Sequence, residues 1–349
     1  MNFSRVPILL KDLKGKDIRR FLFVSLHQIW VNSAFTDEAK SIVREKEMDI
    51  LKINACPLCE GTQLAYVMTC TDCYATGEKF EIYQCNNCGF TFTQNTPSGK
   101  EIDKYYHAAN YISHTDTKKG LMNSIYHRVR KRMLKEKVRL VMKASHRKRG
   151  KLLDIGTGTG YFANAMRKET WKVDAIEKNE EARSFAKEQF RLNVKDEKAL
   201  DELAAGSYDV ITLWHVLEHL EKLEHTWTRL NELLTDKGIL IIAVPNYSSY
   251  DAKKYKANWA AYDVPRHIWH FTPATMQRFG IKHGFIMAAH YPMPFDAFYV
   301  SMLSEKNTGS KLSFLKGAYT GTIAWFHSLV KKEKSSSIIY IFRKKQDEK

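Results

Sequence analysis

Leu152-Leu153-Asp154-Ile155-Gly156-Thr157-Gly158-Thr159-Gly160 runs from an apolar stretch through an acidic residue into three alternate glycines. Such a run reads as a buried strand that ends in a tight loop. Glycine has no Cβ, so the backbone there can turn sharply and approach a ligand closely, and the helix that follows presents unpaired N–H groups to it. The loop is therefore expected to cradle a nucleotide-like group. Val173-Asp174-Ala175-Ile176-Glu177 reads as the next strand, with a carboxylate at its end that can accept hydrogen bonds from both hydroxyls of a ribose. Further along, Tyr208–Trp214 and Gly238–Asn246 are apolar enough for strands buried on both faces, and Leu220–Leu234 between them has helical spacing. Strands that alternate with helices predict an α/β fold with an open, mostly parallel sheet and ligands at the carboxyl ends of its strands.

The spelling of the loop narrows the ligand. A dinucleotide fingerprint is Gly-x-Gly-x-x-Gly, whereas this chain has Asp-x-Gly-x-Gly-x-Gly. That arrangement resembles motif I of the class I S-adenosylmethionine-dependent methyltransferases. The resemblance implies a Rossmann-like seven-stranded sheet with S-adenosyl-L-methionine as cofactor. Asp154 would then sit near its methionine end, Gly156, Thr157, Gly158 and Gly160 beneath it, and Glu177 on its ribose. Trp214-His215-Val216-Leu217-Glu218-His219, at the end of the Tyr208–Trp214 strand, is similar to the post-motif loop of many small-molecule methyltransferases. There Trp214 and His215 would border the cofactor while Glu218 and His219 face the acceptor. The same Glu-His step resembles quinone-biosynthesis O-methyltransferases, which hold a divalent ion near a phenolate; no carboxylate cluster beyond Glu221 and Glu224 accompanies it here. The likeness covers roughly residues 105 to 300.

All six cysteines fall between positions 56 and 88, as Cys56/Cys59, Cys70/Cys73 and Cys85/Cys88. Paired Cys-x-x-Cys units without an export signal read as thiolate ligands for zinc rather than as disulfides. The outer pairs are the better knuckles, because a glycine follows each second cysteine closely, at Gly61 and Gly89. Cys56, Cys59, Cys85 and Cys88 are expected to hold structural Zn2+ in a small N-terminal zinc ribbon, and Cys70 and Cys73 to be ordinary ribbon residues. Phe80–Gln84 alternates as a ribbon strand should.

The 349 residues divide, on this reading, into an extension at 1–47, a ribbon at 48–98, a helical lid and linker at 99–150 and the methyltransferase domain at 151–345. Met48 is the expected start of translation. Tyr106, Tyr111 and His114 are candidate pocket residues of the lid. No apolar run is long enough to span a membrane and no export signal opens the chain, so a cytoplasmic location is expected. The net charge of +16 is concentrated in Arg128–Lys151 and in the tail. Val129, Met133, Leu134 and Val138 share one side of that first stretch, so its charges read as the solvated face of an amphipathic helix.

Asp263-Val264-Pro265-Arg266-His267-Ile268-Trp269-His270 is too polar and aromatic for a simple helix. His267 or His270 could take a proton from an acceptor hydroxyl, and Arg266 could hold an acidic group; a structural network among Asp263, Arg266 and His267 is the competing account. Thr272-Pro273 should start a helix, and Asp296–Leu303 should form another. Ser336–Arg343 should be an antiparallel edge strand. Ile323–Lys332 reads as an amphipathic, basic-ended helix that covers its own domain, with contact to an anionic membrane as the alternative. The expected activity is methyl transfer to a small-molecule or lipid-like acceptor, most simply at oxygen, with His215, Glu218, His219 and His267 as the candidate catalytic group. Two alternatives stand beside it: methylation of RNA or another nucleic acid, favoured by the charge but not by Pro245-Asn246-Tyr247, and a zinc-ribbon binding protein with an inactive methyltransferase domain.

Overall fold

The computed structural model describes residues 49–106 and 121–346, the side chains of 121–129 excepted. The expected extension at 1–47, Met48, Tyr111 and His114 lie outside the described residues. Five short strands open the described chain: β1 (Ile50–Leu51), β2 (Leu64–Thr71), β3 (Lys79–Cys85), β4 (Thr91–Gln94) and β5 (Thr96–Pro97). After helix α1 (Leu121–Ser145) come β6 (Lys151–Ile155), α2 (Tyr161–Lys168), β7 (Lys172–Ile176), α3 (Glu180–Phe190), β8 (Val194–Lys195), α4 (Ala199–Glu202) and β9 (Tyr208–Trp214). The chain continues through α5 (Leu223–Leu233), β10 (Leu234–Pro245), α6 (Tyr250–Tyr255), β11 (Trp269–His270) and α7 (Pro273–Lys282). It closes with β12 (Phe285–Pro292), α8 (Asp296–Asn307), α9 (Ser313–Val330) and β13 (Ser337–Lys344).

The main sheet has seven strands in the order β12-β13-β10-β9-β6-β7-β8. The five strands from β10 to the β8 edge are parallel, and β13 runs antiparallel to both β10 and β12. The last strand is therefore not the edge that its sequence suggests: β12 takes the edge, and β13 is buried between two neighbours, which is why Ile338, Tyr340 and Phe342 are fully covered. Alternate residues feed two cores. Leu153, Ile211, Leu240 and Ile242 pack on one face with Trp227 and Phe279, while Leu152, Val210, Ile239 and Ile241 pack on the other with Val138 and Val141 of α1. Strand order reverses between β6 and β9, so a crevice opens at the carboxyl ends of those two strands.

The ribbon is joined to this sheet by β11. Trp269 and His270 pair antiparallel with Phe92 and Thr91 of β4, completing a four-stranded sheet β11-β4-β3-β2. Phe90 then stacks on Trp269 at 6.0 Å and meets Phe279 edge-on at 4.9 Å, so ribbon and main sheet share one apolar core. Thr272 caps α7 in a capping box with Thr275, and Pro273 fills its first turn.

The hairpin of α8 and α9 differs from expectation. The amphipathic stretch does form a helix, but α9 buries Gly317, Thr320, Gly321, Ala324 and Ser328 and leaves Leu315, Tyr319, Phe326, Leu329 and Val330 exposed. It packs on its domain through small residues and does not cover it with its apolar stripe.

Candidate active site

The glycine loop is built from backbone geometry. Gly156, Gly158 and Gly160 all take positive φ, at 67°, 56° and 79°. Gly156 and Thr157 donate their N–H groups to the carbonyl of Ile176, at 2.8 and 3.0 Å, which laces the loop to the end of β7. A Cβ on Gly156 would fall 2.3 Å from Val216 Cγ2, and one on Gly160 would fall 2.9 Å from Ala186 Cβ; at Gly158 it would meet nothing within 4 Å. The loop is thus closed on the protein side and open at Gly158, where a ligand can approach the backbone. Glu177 is half-buried at the end of β7 and accepts from Gly158 N–H at 2.8 Å and Asn179 N–H at 2.9 Å. Its carboxylate is held in place and retains lone pairs for a diol.

Asp154 lies under the loop, 1% exposed, and accepts from the Thr212 hydroxyl at 2.7 Å. Burial pushes its carboxyl up to about 6. Trp214, at the end of β9, carries the Lys137 ammonium 4.3 Å over its ring and meets Phe162 edge-on. Lys137 belongs to the basic stretch read as solvated, yet it is half-buried, and that burial lowers its pKa.

Across the crevice, His215 adopts φ 59° and stands between two carboxylates: Nδ1 is 3.5 Å from Glu218 Oε1 and Nε2 is 3.3 Å from Asp296 Oδ2 at the start of α8. Burial opposes its protonation, but Asp296 and then Glu218 overcome it and raise the imidazole to about 9. His215 is accordingly a cation at neutral pH. Glu218 is 1% exposed and neither oxygen has a hydrogen-bond partner. His219 Nδ1 lies 2.9 Å from the Arg266 carbonyl and 3.2 Å from the Tyr106 hydroxyl, and His267 Nδ1 lies 2.8 Å from the Ala261 carbonyl. A carbonyl only accepts, so each Nδ1 carries the proton and each Nε2 keeps a lone pair. Burial, reinforced by His267, drops His219 to about 4. Asp263 Oδ2 stands 3.9 Å from His267 Nε2. One ligand atom from each of Glu218, His219 and His267 lies within 4.8 Å of the others, so the three could hold a cation.

Arg266 is fully engaged. Its guanidinium meets Asp263 at 2.6 Å, Asp72 of the ribbon at 2.9 Å and the Tyr105 carbonyl at 3.0 Å, with 1% of the side chain exposed. It fixes the loop and has no face left for an acidic substrate. His270 is buried against the Thr93 hydroxyl at 3.0 Å, away from the crevice, and burial drops it to about 3. Lys137 and Asp296 are the crevice residues that sequence reasoning missed; a lysine within a basic run and an aspartate opening a late helix carry no local signal.

In the ribbon, Cys56 Sγ is 3.4 Å from Cys88 Sγ and Cys59 Sγ is 3.5 Å from Cys85 Sγ, and all four sulfurs lie within 4.8 Å of one another. The two knuckles match: Glu60 and Gly89 N–H donate to the carbonyls of Cys56 and Cys85, and Glu60 and Gly89 take φ 61° and 73°. In the first knuckle the left-handed residue is Glu60, not Gly61. The backbone N–H groups of Leu58 and Cys59 face the Cys56 sulfur, and those of Asn87 and Cys88 face Cys85. Burial raises the Cys56 and Cys88 thiols while, against burial, the backbone N–H groups of Cys88 and Asn87 lower that of Cys85, and a cation would favour the ionised form of the sulfurs around it. The cluster could chelate a metal ion. Cys70 is apart from it, buried opposite Phe80 in the β2–β3 pair, and burial pushes its thiol up to about 12.

Residues 125–289 match the family model of a methyltransferase domain. A protein of Alkaliphilus oremlandii (strain OhILAs) described as an uncharacterized methyltransferase is 27% identical over 115 residues, 32% of this chain and 53% of that protein. The chain thus spans about half the length of the curated relative it matches. Among solved structures, a SAM-dependent methyltransferase from Archaeoglobus fulgidus aligns at 19% identity over 61% of this chain and 94% of its own, with a TM-score of 0.42. The YcgJ protein of Bacillus subtilis aligns at 14% identity over 60% and 98%, with a TM-score of 0.43. The likeness to a methyltransferase domain thus falls on the stretch that holds the glycine loop, Glu177 and the His215–His267 residues.

Proposed function

We propose that this domain moves the methyl group of S-adenosyl-L-methionine to an oxygen of a small-molecule or lipid-like acceptor bound on the Glu218–His267 side of the crevice. One observation carries the proposal. The loop after β6, open at Gly158 and with the Glu177 carboxylate beside it, packs through Gly156 on Val216, and the segment after the neighbouring strand β9 that holds Val216 also supplies Glu218 and His219 to a buried cluster with His267. The cofactor supplies a methyl group already activated on a sulfonium, so the protein has to align an acceptor, exclude water and take one proton.

Glu177 would hold the ribose, the Gly156–Gly160 loop would run beneath the cofactor, and Trp214 would wall its side. For the proton, His267 Nε2 is the better base. The Asp263 carboxylate stands beside it and would stabilise the imidazolium formed, whereas His219 is too weakly basic at about 4. His215, already protonated, would place a positive charge near the developing alkoxide or phenolate acceptor instead of removing a proton. Cys56, Cys59, Cys85 and Cys88 would hold structural zinc, which elemental analysis should find in the full chain and not in the Cys56→Ser/Cys85→Ser variant.

Calorimetric titration with S-adenosylhomocysteine tests the core of the proposal. Glu177→Ala should weaken binding by about tenfold to a hundredfold, the worth of two charge-assisted hydrogen bonds. Folded wild-type protein that fails to bind would overturn it. A second reading keeps the transfer and adds a divalent cation on Glu218, His219 and His267. It is favoured by the buried Glu218 carboxylate, whose nearest donor is the long 3.5 Å contact with His215, and by two rings whose other nitrogen is fixed by a carbonyl, as metal-ligating histidines usually are. Manganese titration should then show one site that Glu218→Gln removes; no binding would leave the first reading alone.

A further inference from the structure

The α8–α9 hairpin is built inside out. Helices of water-soluble domains turn large apolar side chains inward and polar ones outward. In α9 the inward face is Gly317, Thr320, Gly321, Ala324 and Ser328, and the outward stripe is Leu315, Tyr319, Phe326, Leu329 and Val330, each 56% to 83% exposed. Those outward positions fall within one side of the helix at 3.6 residues per turn. The partner helix has a related pattern: α8 buries Ala297, Ser301, Ser304 and Glu305 and exposes Tyr299, with Phe295 exposed just before its first residue. A Cβ on Gly317 would fall 2.4 Å from Met302 Cα, and one on Gly321 would fall 2.7 Å from Phe298 Cα. Backbones brought this close by small residues four apart are how helices pack when their large apolar side chains face hydrocarbon. No residue from 313 to 330 is acidic.

The rim of the stripe is cationic. Lys311 and Lys316 flank its start and Lys331 and Lys332 its end, all exposed, while the neighbouring helix α6 contributes exposed Lys253. The exposed acid nearby, Glu333, is engaged by His290 at 3.1 Å. Lys334 is held below its ordinary value by partial burial and then by Lys253 and Lys331, so the cations repel one another. Among the described residues no helix is long and apolar enough to cross a membrane. A stripe of this kind lies in an interface and does not span.

We infer that the outer face of the α8–α9 hairpin seats on an anionic bilayer, with the apolar stripe in the headgroup–acyl boundary and the lysines on the lipid phosphates. The hairpin also meets the crevice. Asp296, the first residue of α8, is 3.3 Å from His215, and exposed Phe295 precedes it. Seating the hairpin would bring the acceptor side of the crevice to the lipid surface, which makes the acceptor class an amphiphile resident in the membrane. That last step rests on the function proposed above; the surface contact does not.

Co-sedimentation of the full chain with vesicles tests both parts. Phosphatidylcholine vesicles containing phosphatidylglycerol should bind it at least about tenfold more tightly than pure phosphatidylcholine, with the preference falling as salt rises. Leu315→Glu/Phe326→Glu should lower partitioning by about tenfold or more. Lys316→Glu/Lys331→Glu should abolish the preference for anionic lipid. S-adenosylhomocysteine binding should stay unchanged in both variants, which establishes that they are folded and separates this inference from the cofactor reading. Folded wild-type chain that ignores anionic vesicles, or an apolar-face variant that binds them equally, would overturn the surface. So would a dimer that Leu315→Glu/Phe326→Glu dissociates in a chain without vesicle affinity. Lost cofactor binding with vesicle binding retained would sink the enzymatic reading and leave the surface standing.

Discussion

The proposed cofactor side and the proposed acceptor side of the crevice lie at the ends of adjacent strands, yet they are held in place by different forces. On the cofactor side, three left-handed glycines and the Ile176 carbonyl shape the loop, and Glu177 is fixed by two backbone N–H groups. On the acceptor side, buried charges do the shaping. Asp72 from the ribbon and Asp263 clamp Arg266, whose own carbonyl orients His219, while the Asp296 carboxylate of α8 raises the pKa of His215. Backbone geometry of the first kind depends little on distant parts of the chain. Ion pairing of the second kind makes the acceptor side depend on the ribbon and on the hairpin, so changes there should be felt in acceptor handling before cofactor affinity.

The sharpest way to break that contrast is to remove the clamp. Arg266→Leu leaves Asp72 buried with no counter-charge, although Arg266 normally holds its carboxyl below the usual range against the upward push of burial. Loss of one partner of such a buried pair should cost ~3–5 kcal/mol of stability, read by urea denaturation. Under conditions where the variant is still folded, S-adenosylhomocysteine should bind within about twofold of wild type, since no contact of the glycine loop is touched. If cofactor affinity collapses together with stability, the two sides are not independent and the contrast fails.

A smaller change probes the other side. Gly156→Ala adds a Cβ 2.3 Å from Val216 Cγ2 at φ 67°, whereas Gly158→Ala adds one in open space at φ 56°. The first should lose ~2–3 kcal/mol of stability through strain and overlap, the second ~1 kcal/mol through strain alone. Both should weaken S-adenosylhomocysteine binding, Gly158→Ala through the ligand it would crowd. Equal stability losses at the two positions would show that the packing of Val216 against the loop is not what closes it.

The same contrast explains what could be read from the residues. Glycines that need positive φ, a carboxylate at a strand end and cysteines that pair across a knuckle all obey local rules, so spacing reveals them. Asp72 and Arg266 are 194 residues apart, and nothing near either announces the other. The hairpin shows a different kind of limit. Periodicity shows that α9 has two unlike stripes, one small and one large and apolar, but not which faces inward; the close approach of Met302 and Phe298 to Gly317 and Gly321 decides it. The place of the final strand escapes the sequence for a related reason, because an antiparallel strand paired on both sides is as apolar as an edge strand paired on one and covered on the other.

His270 gives the smallest effect, one that depends on pH. It sits where the ribbon sheet meets the main domain, bonded to Thr93 and buried, with its imidazole lowered to about 3. A histidine depressed in the folded state adds stability above its unfolded value of about 6.5 and loses it as pH falls from there toward the folded value. His270→Gln keeps a group able to bond Thr93 and removes the titration. The wild type should therefore be more stable than the variant near neutrality, by about 1 kcal/mol for the better-fitted ring. On going to about pH 5, the wild type should lose ~2 kcal/mol that the variant does not. The two denaturation curves should close, and then cross, as the solution is acidified. A stability difference that stays constant from neutral to acid pH would mean that the imidazole titrates alike in the folded and unfolded chain, so that burial at this junction does not oppose its charge.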